Sequence, residues 1–499
     1  MTTSSLPVPG APAARAKRLA ATLYGYAFLD EFVLLYPFYA LLFVDTGLST
    51  AEISSLLAIW SITSVVLEVP SGVWADVVPR RRLLALAPLP AAAGFALMVA
   101  APSYGAFAVA FVLWGASGAL QSGALEALVY TELDRLGAAG RYGAVMGRAR
   151  AIGTGAAMAS MAVAAPAFAL GGYPLVGIGS VLACLLAAGV ALTFPEHRGR
   201  AASRDDPGRG DDALDPGRGD DAPGAGRGGD APGSGRDDEV PESAEDAGDA
   251  GDAEPEGGYA AILREGLRAA RADRGTRRAL LLVPAVTALW GSLEEYTPLL
   301  ALGTGVATHV VPLLVLLISV GVAAGGVLVT LARGFQDRGL AAVLTVGALG
   351  MGAGAMSGSA AGFVAVAVAF CAFQTASVLA DVRLQESITG PARATVTSLA
   401  GLGTELAAVL VYGVYAAAST VAGHDTIFTV SAVPYLVLAV VLLVTGTRSR
   451  GDGGPGPALS GPGSASEVPH PHVGLHVLPD VGLTVDGDRS ESAGDDVRA

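Results

Sequence analysis

Long apolar runs separated by short polar connections dominate the chain. They cover roughly residues 19–44, 53–74, 83–101, 105–128, 142–170, 173–194, 279–301, 310–331, 340–356, 361–379, 396–418 and 427–445. That makes twelve runs in two groups of six, each close to the ~20 residues that a helix needs to cross a bilayer. Helices are the expected form, because backbone groups in lipid must be satisfied within the segment. Strands of a membrane barrel would be shorter and would alternate polar and apolar positions, a pattern these runs lack. The spacing predicts an all-α membrane protein with twelve transmembrane helices.

Composition agrees. The chain has 499 residues, 52% of them hydrophobic and only 15% charged, with mean hydropathy +0.53. A soluble protein carries about 25% charged residues, so an ordinary soluble enzyme and a disordered chain are both excluded. A disulfide scaffold is excluded by having only two cysteines, Cys184 and Cys371, both inside apolar runs. The net charge of −14 is a local property. Residues 196–257 hold 19 acidic residues against 7 Arg, and residues 451–499 hold 8 against 2, which leaves the rest of the chain at +4. Nothing in that remainder forms a nucleic-acid-binding surface.

The connections set an expected orientation. Arg80, Arg81 and Arg82, then Arg135 and Arg141, Arg333 and Arg338, and Arg383 and Arg393 all fall in even-numbered connections, whereas the odd ones carry no Lys or Arg. Loops enriched in Lys and Arg face the cytoplasm, so both termini are expected there. Residues 1–18 read as a cytoplasmic tail without a removable signal peptide. Residues 19–195 form the first set of spans and 279–447 the second. Between them, 196–257 repeats DPGRGDDA at 206–213 and 215–222 and reads as a disordered cytoplasmic loop. Residues 258–278 mix apolar and Arg positions like a helix on the membrane surface, and 448–499 read as a disordered tail.

The two halves resemble each other weakly. Leu29-Asp30-Glu31-Phe32 with Pro37 beyond is matched by Leu293-Glu294-Glu295-Tyr296 with Pro298. Gln121 and Gln374 lie at equivalent places in the fourth and tenth runs. Such internal symmetry is how transporter repeats show themselves in sequence.

One connection carries a signature. Gly72, Asp76, Arg80 and Arg81 lie between the second and third runs, and this loop resembles the signature loop of the major facilitator superfamily (MFS), with Pro79 in place of a second glycine. The resemblance implies two six-helix bundles around one central site lined by the first, fourth, seventh and tenth helices. It also implies that Asp76 and the following Arg help latch the cytoplasmic side. Two family patterns are absent. Trp114 stands where many proton-coupled members carry Arg, and the fifth run, AIGTGAAMASMAVAAP, lacks the Gly-Pro pair of many drug exporters.

Ionisable residues inside the bilayer are costly and so are functional candidates. Asp30 and Glu31 lie near mid-depth of the first run, with Tyr26 four residues before Asp30. Trp290 and Glu294 repeat the arrangement, with Glu295 adjacent. An aromatic ring beside a carboxylate suits an organic cation. Glu405 shares a helical face with Ser398 and Tyr412. Tyr26, Asp30, Glu31, Gln121, Trp290, Glu294, Glu295, Gln374 and Glu405 are thus the expected substrate and proton ligands. Glu68, Gly72, Asp76, Arg80, Arg81, Glu126, Arg148 and Arg150 are the expected gating set.

Desolvation disfavours a charged carboxylate, so such groups can exchange a proton as a cavity opens to either side. The expectation is alternating access with proton-coupled export of small organic molecules, proton and substrate competing for Asp30, Glu31 or Glu405. A proton-linked nutrient importer is the alternative. A membrane-embedded enzyme is disfavoured by the lack of HExxH, GxSxG or a nucleotide-binding loop, and a non-transporting sensor is a remoter option. The expected partners are a small-molecule substrate, protons and the lipid bilayer, with no cofactor or metal. A monomer in the plasma membrane is expected.

Overall fold

The computed structural model describes residues 11–196, 274–332, 335–388 and 393–451. All regular elements among the described residues are helices. Ten of their stretches are long and apolar enough to cross a bilayer, and the protein is a multi-pass membrane protein. The first half contains α1 (Ala11–Glu31), a 3-10 turn (Tyr36–Phe38), α2 (Tyr39–Asp45), α3 (Thr50–Val77), α4 (Arg80–Leu86), α5 (Pro88–Ala100), α6 (Tyr104–Gln121), α7 (Ala124–Arg135) and α8 (Tyr142–Ala191). The second contains α9 (Arg274–Glu294), α10 (Thr297–Gly303), α11 (Val311–Ala332), α12 (Asp337–Met356), α13 (Gly362–Ser387), α14 (Arg393–Ala418), α15 (His424–Val430) and α16 (Val433–Gly451). Most of the acidic central loop and the C-terminal tail lie outside the described residues, as do residues 258–273 of the expected surface helix.

The first helix of each half is broken at the same place. α1 stops at Glu31 and α9 at Glu294, and each chain resumes as a helix of 7 residues, α2 and α10. Pro37 opens the 3-10 turn and Pro298 opens α10. Proline has no N–H to give and is best tolerated in a first turn, where that N–H would be unpaired anyway. One apolar run in the sequence is therefore two helices in space, with a carboxylate pair at each break.

α8 spans 50 residues, which would extend about 75 Å if straight, far beyond a hydrocarbon core of about 30 Å. The chain leaves helical geometry at Gly172, at φ 60° and ψ −155°, a backbone conformation that glycine adopts without strain. The limbs on either side correspond to the separate apolar runs at 142–170 and 173–194.

Small residues let helices approach closely where lipid supplies no hydrophobic drive between them. Gly321 and Gly325 of α11 lie against the backbone of α13, and a Cβ on either would strike the carbonyl oxygens of Ala367 and Cys371. Gly325→Val is expected to destabilise the protein by about 3 kcal/mol, the upper end of overpacking penalties. Thermal unfolding in detergent measures this, and an unchanged midpoint would contradict the tight contact.

Among the described residues, the apolar core joins the halves at one end, and its largest cluster also runs down the second half to Ala332 and Leu340. A large cluster joins the halves through Phe38, Phe43, Phe111, Tyr296, Tyr412 and Tyr415, among others. Two smaller clusters each stay within one half. One contains Leu19, Tyr26, Leu84, Leu128 and Phe194, and the other contains Val283, Ala380, Leu384 and Val396. These two lie towards the arginine-bearing connections. There Arg80 bonds the α7 groups Ala127 O (3.1 Å) and Thr131 Oγ1 (3.0 Å), while Arg383 bonds Asp337 at 2.9 Å. α3 packs along α14, and α8 along α11, to make the contact between halves.

Candidate functional site

In the first half, Gln121 Nε2 donates to Asp30 Oδ2 at 2.8 Å and to the Tyr26 hydroxyl at 3.0 Å. The Tyr26 hydroxyl in turn donates to Leu84 O at 3.4 Å. Tyr26 is fully buried, with its ring edge-on to Phe194. It therefore acts as a hydrogen-bonded core residue here, and its ring face does not line an open space. Asp30 is held by a neutral amide with no basic partner among the described residues.

Glu31 differs from its neighbour. Its side chain is exposed and makes no hydrogen bond among the described residues. It lies over Gly153 of α8, where any added side chain would press on the Glu31 Cγ. The Tyr36 and Tyr39 hydroxyls just past the first break reach Glu295 at the second, so the two broken helices meet in one region.

Glu295 is engaged across the halves. It accepts from the Tyr36 hydroxyl at 3.5 Å and from the Tyr39 hydroxyl. Glu294 lines a cavity of about 10 Å³ with Tyr36, Tyr39, Glu295, Thr297 and Val315, room for about one water and no substrate. Nearby, the Tyr296 hydroxyl donates to Ser54 Oγ at 2.7 Å, and its ring stacks on Tyr415 at 3.6 Å between centroids. Trp290 is buried, and its Nε1 donates to Ser377 Oγ at 2.9 Å. Like Tyr26, it is a satisfied core residue.

Glu405 on α14 accepts a 2.5 Å bond from Ser61 Oγ on α3. This is its one bond among the described residues, and it crosses between the halves. Gln374 is half-buried, with its Cβ towards Gly325. Trp114 packs edge-on to Tyr36, Tyr39, Phe95 and Phe111 and lies beside Trp60. Aromatic contacts thus surround Trp114.

The expected gating residues divide into three groups. Arg150 pairs with Glu126 at 3.2 Å, and both side chains are at least half exposed, at 59% and 50%. Arg148 is exposed on the same helix. Arg80 is committed to α7 within its own half, and the backbone N–H groups of Arg80 and Arg81 bond the Glu196 carboxylate at 2.7 and 3.3 Å. Glu196 thus neutralises the exposed N-terminus of α4, although the sequence reading assigns it to the linker. The side chains of Glu68 and Asp76 and the surroundings of Gly72 lie outside what is described.

The sequence reading missed Tyr36, Tyr39, Ser54 and Tyr296. Their signal was a hydroxyl-tipped aromatic or serine inside an apolar run, which periodicity alone reads as core. No group of acidic, His or Cys residues suited to a metal ion is present among the described residues.

A family model described as Major Facilitator Superfamily matches residues 20–382. Solved structures of similar fold include a variant of the nucleoside transporter NupG (TM-score 0.62, 13% identity, covering 85% of this chain and 99% of that one). A D-xylose-proton symporter aligns with TM-score 0.55, 13% identity and coverage of 86% and 96%. An auto-inhibited POT family peptide transporter aligns with TM-score 0.59, 13% identity and coverage of 86% and 97%. No curated protein sequence matches this one. With the matched model extending across both halves, the chain belongs to the major facilitator superfamily of membrane transporters.

Proposed function

We propose that this transporter couples proton movement to the export of small organic molecules by alternating access, with twelve spans in two bundles and the arginine-bearing end in the cytoplasm. One observation carries the coupling. Glu405 is bonded across the halves by Ser61, Glu31 is exposed at the first helix break, and neither has a basic partner among the described residues. A carboxylate so placed in a low-dielectric interior is stabilised by a proton or a cationic cargo. Asp30, held by Gln121, is the third member of the set. An interior in which carboxylates outnumber deep basic residues favours neutral or cationic cargo over anions. Glu126, Arg148 and Arg150 belong to the cytoplasmic mouth. The protein works as a monomer in the plasma membrane.

In proteoliposomes with an imposed proton gradient, neutralising Asp30, Glu31 and Glu405 together is expected to abolish proton-driven transport across a panel of organic cations and neutral solutes. Gradient-driven transport that survives all three changes rejects the coupling. Proton-linked uptake is the second reading, favoured by similarity to a protein described as a proton symporter. An uncoupler separates the two in whole cells, since it raises accumulation of an exported solute and lowers that of an imported one.

A further inference from the structure

The duplicated carboxylates at the two helix breaks are used unequally. Glu31 ends α1 with a free, exposed side chain, whereas Glu295, its counterpart in the repeat, receives two tyrosine hydroxyls from the opposite half. The donors lie just past the break in the first half, Tyr36 in the 3-10 turn and Tyr39 opening α2. The acceptor lies in the break between α9 and α10. α2 and α10 are equally short, and they pack against each other.

This contact lies where the apolar core runs unbroken from one half to the other. At the arginine-bearing end, among the described residues, the two smaller clusters and the ion pairs each stay within one half. The molecule is therefore shut at the end away from the arginines. Among the described residues, Tyr36 and Tyr39 to Glu295 and Tyr296 to Ser54 fasten that shut end, while Ser61 to Glu405 and Ser319 to Met161 cross between the halves in mid-helix.

Resting on the transport reading above, we infer that Tyr36, Tyr39 and Glu295 form the latch of the outer mouth. α2 and α10 are its two leaves, each hinged at a helix break, so Glu295 holds the gate and does not bind cargo. A hydrogen bond to a charged acceptor is stronger than one between neutral groups, and two donors on one carboxylate make it the firmest fastening of the set. Opening outward requires Glu295 to release both hydroxyls. Glu31 has no such bond among the described residues.

The test places spin labels at Thr46→Cys and Thr304→Cys, just past the ends of α2 and α10, in a full-length chain with Cys184 and Cys371 replaced by alanine. Distances are measured in liposomes with and without an imposed proton gradient. Tyr36→Phe/Tyr39→Phe keeps both rings and removes only the hydroxyls, and it is expected to raise the long-distance population about tenfold over the parent. Glu295→Gln keeps one acceptor and is expected to fall between the parent and the double variant. Should the parent distances respond to the gradient while the latch variants match it in every condition, the latch is overturned and alternating access stands. A parent whose two distances never change overturns both.

Discussion

Glu31→Gln combined with Glu405→Gln is expected to lower proton-driven transport at least about 100-fold while leaving the thermal midpoint nearly unchanged. The separation of the two effects follows from the bonding. Glu31 makes no hydrogen bond among the described residues, so its neutral amide takes nothing from the fold. Glu405 accepts one bond from Ser61, and a glutamine oxygen can accept the same bond. What disappears is charge. Interactions with a charged group are each worth about 1.5–3 kcal/mol, and every 1.4 kcal/mol is about tenfold in a binding or rate constant. Two such losses give the 100-fold floor. Initial rates in proteoliposomes with a proton gradient, beside unfolding curves of the same preparations, check both halves of the statement. A stable variant that transports at the parent rate would remove these carboxylates from the mechanism.

The apolar runs and the arginine asymmetry were legible because they are properties of single segments. The weak repeat also pointed to the right places, since both Leu-acid-acid-aromatic motifs mark a helix break. The breaks themselves were not legible. An apolar run over 19–44 looks like one helix, and only the break before the 3-10 turn at Pro37 shows that its carboxylates lie at a chain discontinuity. Pairing between halves was hidden for a different reason. Tyr39 and Glu295 are separated by 256 positions and Ser61 and Glu405 by 344, and no local pattern encodes which hydroxyl meets which acid. Tyr26 and Trp290 illustrate the opposite error. Their spacing from Asp30 and Glu294 suggested rings poised over a ligand, but the hydroxyl and the indole N–H are consumed by Gln121, Leu84 O and Ser377. Periodicity places residues on one helical face without telling whether that face meets a cavity or another helix.

The Asp30–Gln121–Tyr26 cluster gives the second large effect, and its sign depends on which members are changed. Gln121 is the donor for both of the other groups. Gln121→Leu strips Asp30 of its hydrogen bond and leaves the buried Tyr26 hydroxyl with only the long contact to Leu84 O. A buried polar group left unpaired costs about 1–3 kcal/mol, more if charged, so a loss of about 3 kcal/mol is expected for this single change. Replacing both members with apolar groups avoids that penalty, because the cost arises from the orphaned partner more than from the missing bond. Asp30→Leu combined with Gln121→Leu is therefore expected to recover most of the lost stability yet remain inactive, whereas Asp30→Asn should hold the bond to Gln121 and keep the fold intact. A double-mutant cycle on unfolding midpoints measures the coupling. Additive losses at the two positions would show that Gln121 and Asp30 do not act as a pair, and the carboxylate at the first helix break would then need another source of support.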